Sequence, residues 1–196
     1  MQRARHHELT TMNPTNLRVL QVNIMKSRAC MEALINDPQT NNLDVLLVQE
    51  PPIIAYRTHV FHRSWHLYRP TYADDGTTKR SLIYVNKRIS TSAHRQIHCN
   101  HPDVTAVKIW NDETQMLLFS VYAPPINYYQ PVEPVAMQPT LDEIQACIRE
   151  VTRSTDKSTT LTLAGDFNRH HPAWSGNEVH HRVMAQADEL INFIHA

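Results

Sequence analysis

Only three glycines, Gly76, Gly165 and Gly176, occur among the 196 residues. Ordinary usage of roughly 7% would supply about fourteen. So few glycines, so far apart, cannot spell G-x-G-x-x-G or G-x-x-x-x-G-K-[ST] anywhere in the chain. Those loops need small residues so that backbone N–H groups can reach phosphate oxygens. A Rossmann or Walker cradle, and with it a nucleotide cofactor, is excluded.

Other shortages narrow the class. Positive and negative charges balance at 19 each, so no global basic field advertises a nucleic-acid partner, although a local groove remains compatible. The three cysteines, Cys30, Cys99 and Cys147, are odd in number and widely spaced. That pattern argues against a disulfide framework and for a reducing compartment. No apolar run reaches the roughly 18 residues of a membrane helix, and the first sixteen residues have no apolar signal core. The expectation is an intracellular globular protein with no membrane partner. What remains, 41% hydrophobic and 19% charged residues, suits one domain with a sizeable core.

Along the chain, residues 1–16 are polar and aperiodic and read as a flexible lead; residues 17–196 read as the domain. Alternation over Leu17 to Ile24 predicts a strand, and spacing over Lys26 to Asn36 predicts a helix ended at Asp37-Pro38. Asp44 to Gln49 is a continuous apolar run, as in a sheet covered on both faces, and Pro51-Pro52 stops it. Further strands are predicted at Trp65–Arg69, Ser81–Asn86, Val104–Trp110, Met116–Tyr122 and Thr159–Ala164. Residues 126–139 read as a long proline-rich loop. Thr140-Leu141-Asp142-Glu143 reads as a capping box opening a helix, and Val179 to Ile194 as a last amphipathic helix. Strands alternating with helices make the class mixed α/β.

Four strands end in a polar residue at an abrupt turn: Asn23, Glu50, Tyr122, and Asp166 with Asn168. Strand ends feeding loops are where a rigid sheet can position exposed groups. Two carboxylates, two amides and a phenol form a hard-oxygen set suited to Mg²⁺ (or Mn²⁺) and phosphate oxygens. Each residue alone also reads as an ordinary turn residue, since Asn and Asp close strands in Asx-turns. The set taken together favours the chemical reading.

The strings LQVNI, VQEPP, SVYAPP and AGDFNRHHPAWSG, in this order, resemble the endonuclease/exonuclease/phosphatase superfamily. The best likeness is to the apurinic-type endonuclease domain of non-LTR retrotransposon reverse-transcriptase polyproteins, from about Leu17 to the C-terminus. The resemblance implies a DNase I-like, four-layered α/β sandwich of two mixed sheets flanked by helices. It implies metal-dependent nicking of double-stranded DNA in the nucleus, so that a 3′ end primes reverse transcription. It also implies roles. Glu50 would bind the metal and Asn23 would stand near metal and scissile phosphate. Tyr122 would contact that phosphate, Asp166 would orient or activate the attacking water, and Asn168 would help to place it. Met25 stands where relatives often carry a polar residue.

The family pattern ends with a strand carrying Asp-His, and this sequence contains no Asp-His dipeptide. The resemblance therefore implies a C-terminally truncated copy without its last strands, with an exposed sheet edge and the Asp-His half of the site absent. Three functional readings stand side by side: the endonuclease; a same-fold phosphatase or phosphodiesterase on a phospholipid or phosphoinositide; and a non-catalytic remnant. Composition does not give the oligomeric state.

The thirteen histidines offer a separate possibility. His170, His171, His180 and His181, or His94, His98 and His101 with Cys99, could ligate zinc if they converged. Solvated or hydrogen-bonded surface histidines are the more ordinary reading. Tyr128 and Tyr129 could stack on a base or pack their loop, Trp174 is expected to pack beneath the site loop, and Arg3 and Arg5 are too few for a DNA-binding arm.

Overall fold

A computed structural model of the chain describes residues 16–73, 76–125, 136–176, 178–180 and 184–196. The polar lead through residue 15, the Tyr128–Tyr129 pair and His181 lie outside the described residues. Two four-stranded mixed sheets form the centre. The first has the order β1 (Val19–Asn23), β2 (Val45–Gln49), β4 (Ser81–Asn86), β3 (Trp65–Tyr68). The second runs β5 (His94–Ile97), β6 (Val104–Trp110), β7 (Thr114–Tyr122), β8 (Ser158–Asp166). β1 pairs with β2 in parallel, as β7 does with β8; the other pairings are antiparallel.

Strand periodicity decides which face each side chain covers. Odd positions Val45, Leu47, Ile83, Val85, Val107 and Ile109 meet Met116 and Leu118 between the sheets. Leu46, Val48, Leu82 and Tyr84 point the other way, onto Met31 and Ile35 of α1 (Arg28–Asn36) and onto Ala55 of the short α2 (Ala55–Thr58). Across the molecule, Ala106, Leu117, Phe119 and Val121 cover Ile144, Cys147 and Val151 of α3 (Gln138–Arg153). The layers are helix, sheet, sheet, helix. This is the four-layered α/β sandwich, and it explains why β2 and β4 are apolar throughout: both of their faces are covered.

α1 begins at Ser27, whose side chain accepts the Cys30 N–H at 3.2 Å, and ends at Asp37 before the proline. The capping box expected at Thr140 is not used. α3 starts at Gln138, and Thr140 and Glu143 serve tertiary contacts instead. The Thr140 hydroxyl bonds His101 Nε2 at 3.2 Å and Glu143 accepts the Asn100 N–H at 2.6 Å. The Met137 N–H at the helix entrance is satisfied by Glu189 at 2.7 Å, a cap supplied from another element. That acceptor belongs to α4 (Asp188–His195), which packs Leu190 against Leu141 and Met137. The last amphipathic helix is thus described as the 3₁₀ turn Ala185–Ala187 running into α4. Among the described residues no helix is long and apolar enough to cross a membrane.

One strand went unforeseen. β5 lies in His94–Ile97, the stretch considered for zinc, and its buried residues are His94 and Ile97, a spacing that breaks the two-residue alternation. His94 is not a surface residue: it is 4% exposed, bonded to the Tyr68 hydroxyl at 2.7 Å and tilted against His66. Burial holds the His94, His62, His66 and His101 imidazoles below their ordinary value of 6.5, with neighbouring His66 adding to the effect at His94. Each is depressed on folding, so above about pH 6.5 the histidines are neutral in both states. Below it the unfolded chain takes up protons first and the folded state loses stability. The urea midpoint is therefore expected to be lower at pH 5.5 than at pH 7.5, with a smaller drop in His94→Gln. Equal midpoints at both pH values would contradict this.

Candidate active site

The carboxyl ends of β1, β2, β7 and β8 lie at one end of the sandwich. Register brings Asn23 opposite Gln49 and Tyr122 opposite Asp166. Across the two sheets, Asn23 Nδ2 donates to Asp166 Oδ2 at 2.6 Å. Asn168 lies two residues on: its backbone N–H donates to Asp166 Oδ1 at 3.3 Å and its side-chain amide to the Ala123 carbonyl at 2.9 Å. Glu50 follows β2, its side chain 18% exposed and 3.9 Å from Lys26 Nζ. The Tyr122 phenol hydrogen-bonds Glu50; burial, then the Glu50 charge and that bond, push its pKa up to about 12. At neutral pH the phenol therefore keeps its proton and acts as a donor. All five residues singled out from the sequence, Asn23, Glu50, Tyr122, Asp166 and Asn168, occupy this one end.

Backbone strain gathers here as well. Among the described residues the non-glycine positions with positive φ are Met25 (50°), Lys26 (58°), Glu50 (46°) and Asn168 (48°), all in the loops after β1, β2 and β8. Each such residue costs about 1–3 kcal/mol, and such strain collects at functional sites. The surroundings hold it in place. Glu50 N–H donates to the Arg80 carbonyl at 2.9 Å, and the Glu50 carbonyl accepts the Lys26 N–H at 2.8 Å. The Asn23 side chain accepts the Met25 N–H at 2.8 Å. Met25 itself is 78% exposed, so its contribution is its backbone turn.

Below the site the apolar core gives way to a buried polar layer. Gln49 donates to Ser120 Oγ at 2.9 Å and accepts from Gln21, and Ser81 meets Thr105 at 2.9 Å. The Gln49–Ser120 and Ser81–Thr105 bonds cross between the sheets and fix their relative position under the strand ends. Three further residues escaped sequence reasoning. Asp103, buried in the loop before β6, receives Arg80 Nε at 2.8 Å and Nη2 at 2.5 Å. The Arg80 guanidinium also lies 4.7 Å from the centre of the Tyr122 ring. Arg169, 5% exposed, donates to the carbonyls of Pro124, Phe167 and Asn168 and so ties the loop after β8 to the loop after β7. Buried charges in loops were the available signal, but a lone Arg or Asp in sequence does not announce its partner.

Trp174 is not beneath the loop. It is 46% exposed, and its indole N–H donates to the Arg169 carbonyl at 2.9 Å from outside. His170 and His171 serve local turns: His171 Nδ1 accepts the Ala173 N–H and His170 meets the Ser175 hydroxyl. His94, His98 and His101 have separate settings. His94 sits with Tyr68, His101 bonds Thr140, and His98 is exposed. Cys99 instead meets Cys147 and Glu143, their ligand-type atoms lying within 4.8 Å of one another. The thiols stand 2.9 Å apart inside the α3 core cluster, and Glu143 is committed to the Asn100 N–H.

The donors at the strand ends fit a hard divalent cation: Glu50 and Asp166 are carboxylates, and the Asn23 amide stands beside Asp166 with its nitrogen on that carboxylate and its oxygen on the Met25 N–H. Residues 116–196 match the family described as endonuclease–reverse transcriptase. No curated protein matches the sequence. Among solved structures, the endonuclease domain of TRAS1, a telomere-specific non-LTR retrotransposon, is 21% identical with TM-score 0.60, covering 91% of this chain and 69% of that one. AP endonuclease LMAP from Leishmania major is 9% identical with TM-score 0.60, covering 100% and 71%. Truncated TDP2 from Caenorhabditis elegans is 15% identical with TM-score 0.52, covering 79% and 63%. The likeness to these solved structures is one of fold, and the family match covers residues 116–196.

Proposed function

We propose that the chain is the DNA-nicking endonuclease module of a non-LTR retrotransposon, hydrolysing one phosphodiester of double-stranded DNA with Mg²⁺ or Mn²⁺. Such a nick would supply a 3′ end for target-primed reverse transcription, which would set its work in the nucleus. The observation that carries this reading is the convergence of Asn23, Glu50, Tyr122, Asp166 and Asn168 on strained loops at one end of the sandwich. The match of residues 116–196 to an endonuclease–reverse transcriptase family supports the DNA substrate over a phospholipid or phosphoinositide.

Glu50, with Asn23 and Asp166 beside it, would hold the cation. The cation supplies positive charge against the charge that develops on phosphate. The chain's own residues do the rest. Asp166 is oriented by the Asn23 amide on one oxygen and by the Asn168 N–H on the other, which fixes it to accept a proton of the attacking water. Tyr122, neutral and bonded to Glu50 in the free site, would turn its one O–H to a nonbridging oxygen once Glu50 engages the cation. Asn168, braced on the Ala123 carbonyl, keeps the β7 and β8 ends at a fixed separation.

Supercoiled plasmid incubated with the purified chain and Mg²⁺ tests the proposal. Conversion to open circles should require the metal and fall at least about 100-fold, the scale of losing a transition-state donor, in both Glu50→Ala and Asp166→Asn. Absence of nicking by the wild-type chain with either metal, or nicking untouched in both variants, would contradict it.

A further inference from the structure

Arg80 stands outside the five strand-end residues, yet its surroundings are those of a built element. It precedes β4, and its carbonyl accepts the Glu50 N–H, so its backbone is joined to the proposed metal ligand. Its guanidinium is gripped by Asp103 through two N–H donors, and the Asp103 side chain is only 3% exposed. The Asp103 carbonyl in turn accepts the Tyr122 N–H at 3.0 Å. One residue therefore positions both the Arg80 fork and the Tyr122 backbone. The planar cation then lies along the Tyr122 ring with 27% of its side chain exposed.

A guanidinium carries five donors, and Asp103 takes two, so the fork retains N–H groups that Asp103 does not engage. An arginine that served only to neutralise Asp103 could do so from any direction. This one is aimed so that its charge sits beside Tyr122 and Glu50, the groups assigned to the phosphate and the cation. Arginine is suited to the task because its fork matches the spacing of phosphate oxygens and its charge persists at any working pH. We infer that Arg80 is a phosphate-contacting residue of the site, holding a nonbridging oxygen of the scissile phosphodiester while Asp103 fixes the fork. This rests on the endonuclease reading and adds a residue to it.

The test is the salt dependence of DNA binding by the full chain. Anisotropy of a fluorescein-labelled duplex oligonucleotide, with Ca²⁺ in place of Mg²⁺, gives affinity against KCl concentration. Each lost phosphate contact should lower the log–log slope by about one. Arg80→Gln should show that reduction, whereas Arg80→Lys, which keeps the charge, should stay near the wild-type slope. Arg80→Gln leaves Asp103 as a buried unpaired carboxylate and can unfold the protein. The double variant Arg80→Gln with Asp103→Asn removes both charges and should fold with the same reduced slope. An unchanged slope in the double variant, or no duplex binding by the wild-type chain, would overturn the assignment. The endonuclease reading fails separately, through metal-dependent nicking that ignores Glu50 and Asp166.

Discussion

Gly165→Ala is expected to be the most destabilising single methyl that can be added to the strand ends. A Cβ at position 165 would stand 1.9 Å from the Val121 carbonyl oxygen, 2.8 Å from its carbon and 3.0 Å from its nitrogen. All three atoms belong to the backbone of β7, and Val121 is the register partner of Gly165. No rotamer change relieves a clash with backbone. Either β8 must move away from β7, breaking the last parallel pairs, or β7 must leave the core where Val121 is fully buried. Ordinary overpacking costs about 1–3 kcal/mol, and this backbone collision should lie at the top of that range or beyond it. The displaced residue would be Asp166, directly next in sequence, so any remaining folded protein should also lose activity. Gly176 gives the contrast. Nothing lies within 4 Å of a Cβ there, but its φ of +83° is one that side chains resist. Gly176→Ala should therefore cost about 1–3 kcal/mol of backbone strain alone and leave the site intact. Urea denaturation of the two variants separates these effects; a wild-type midpoint for Gly165→Ala would show that β7 and β8 do not pair as described.

The second large effect is expected at Glu50. Its backbone is held in the left-handed region by the Arg80 carbonyl on one side and the Lys26 N–H on the other. Its carboxylate is mostly buried, yet its neighbours are Lys26 at 3.9 Å and the Tyr122 phenol, with no bidentate arginine of its own. A mostly buried carboxylate kept on strained backbone, with one lysine at 3.9 Å as its ion-pair partner, suits a cation ligand better than a purely structural role. Glu50→Gln preserves shape and hydrogen-bonding capacity while removing the charge. Even residues one shell removed from a metal change its affinity by about 10–100-fold, so the loss here should be at least that large. Stability should change little, because neither backbone bond of residue 50 depends on its side chain.

How much of this was legible beforehand follows from where each kind of information sits. The strands with strict alternation or full burial, β1, β2, β4, β6, β7 and β8, were readable because one side-chain period settles both structure and face. β5 was not, since its buried pair His94 and Ile97 do not alternate and its pairing with β6 is non-local. The capping box at Thr140 misled because the same residue types also serve tertiary contacts: Thr140 and Glu143 reach His101 and Asn100, about forty positions away. At the site, the five polar strand ends stood out locally, each after an apolar run and before a proline or turn. Arg80, Asp103 and Arg169 did not, because their meaning lies in partners twenty to forty-five positions distant. The glycine shortage proved informative twice. It excluded a backbone cradle for phosphate, and it left Gly165 at the one strand position where another backbone needs the space.

The strand ends bearing Asn23, Glu50 and Asp166 should together hold one divalent cation. Titration of the protein with Mn²⁺, followed by the loss of the free-ion signal in electron paramagnetic resonance, measures this without any turnover. One bound ion is expected in the wild-type chain, competed by Mg²⁺, with affinity lowered at least about 100-fold in Glu50→Gln. Binding of equal strength in Glu50→Gln, or none in the wild-type chain, would contradict it.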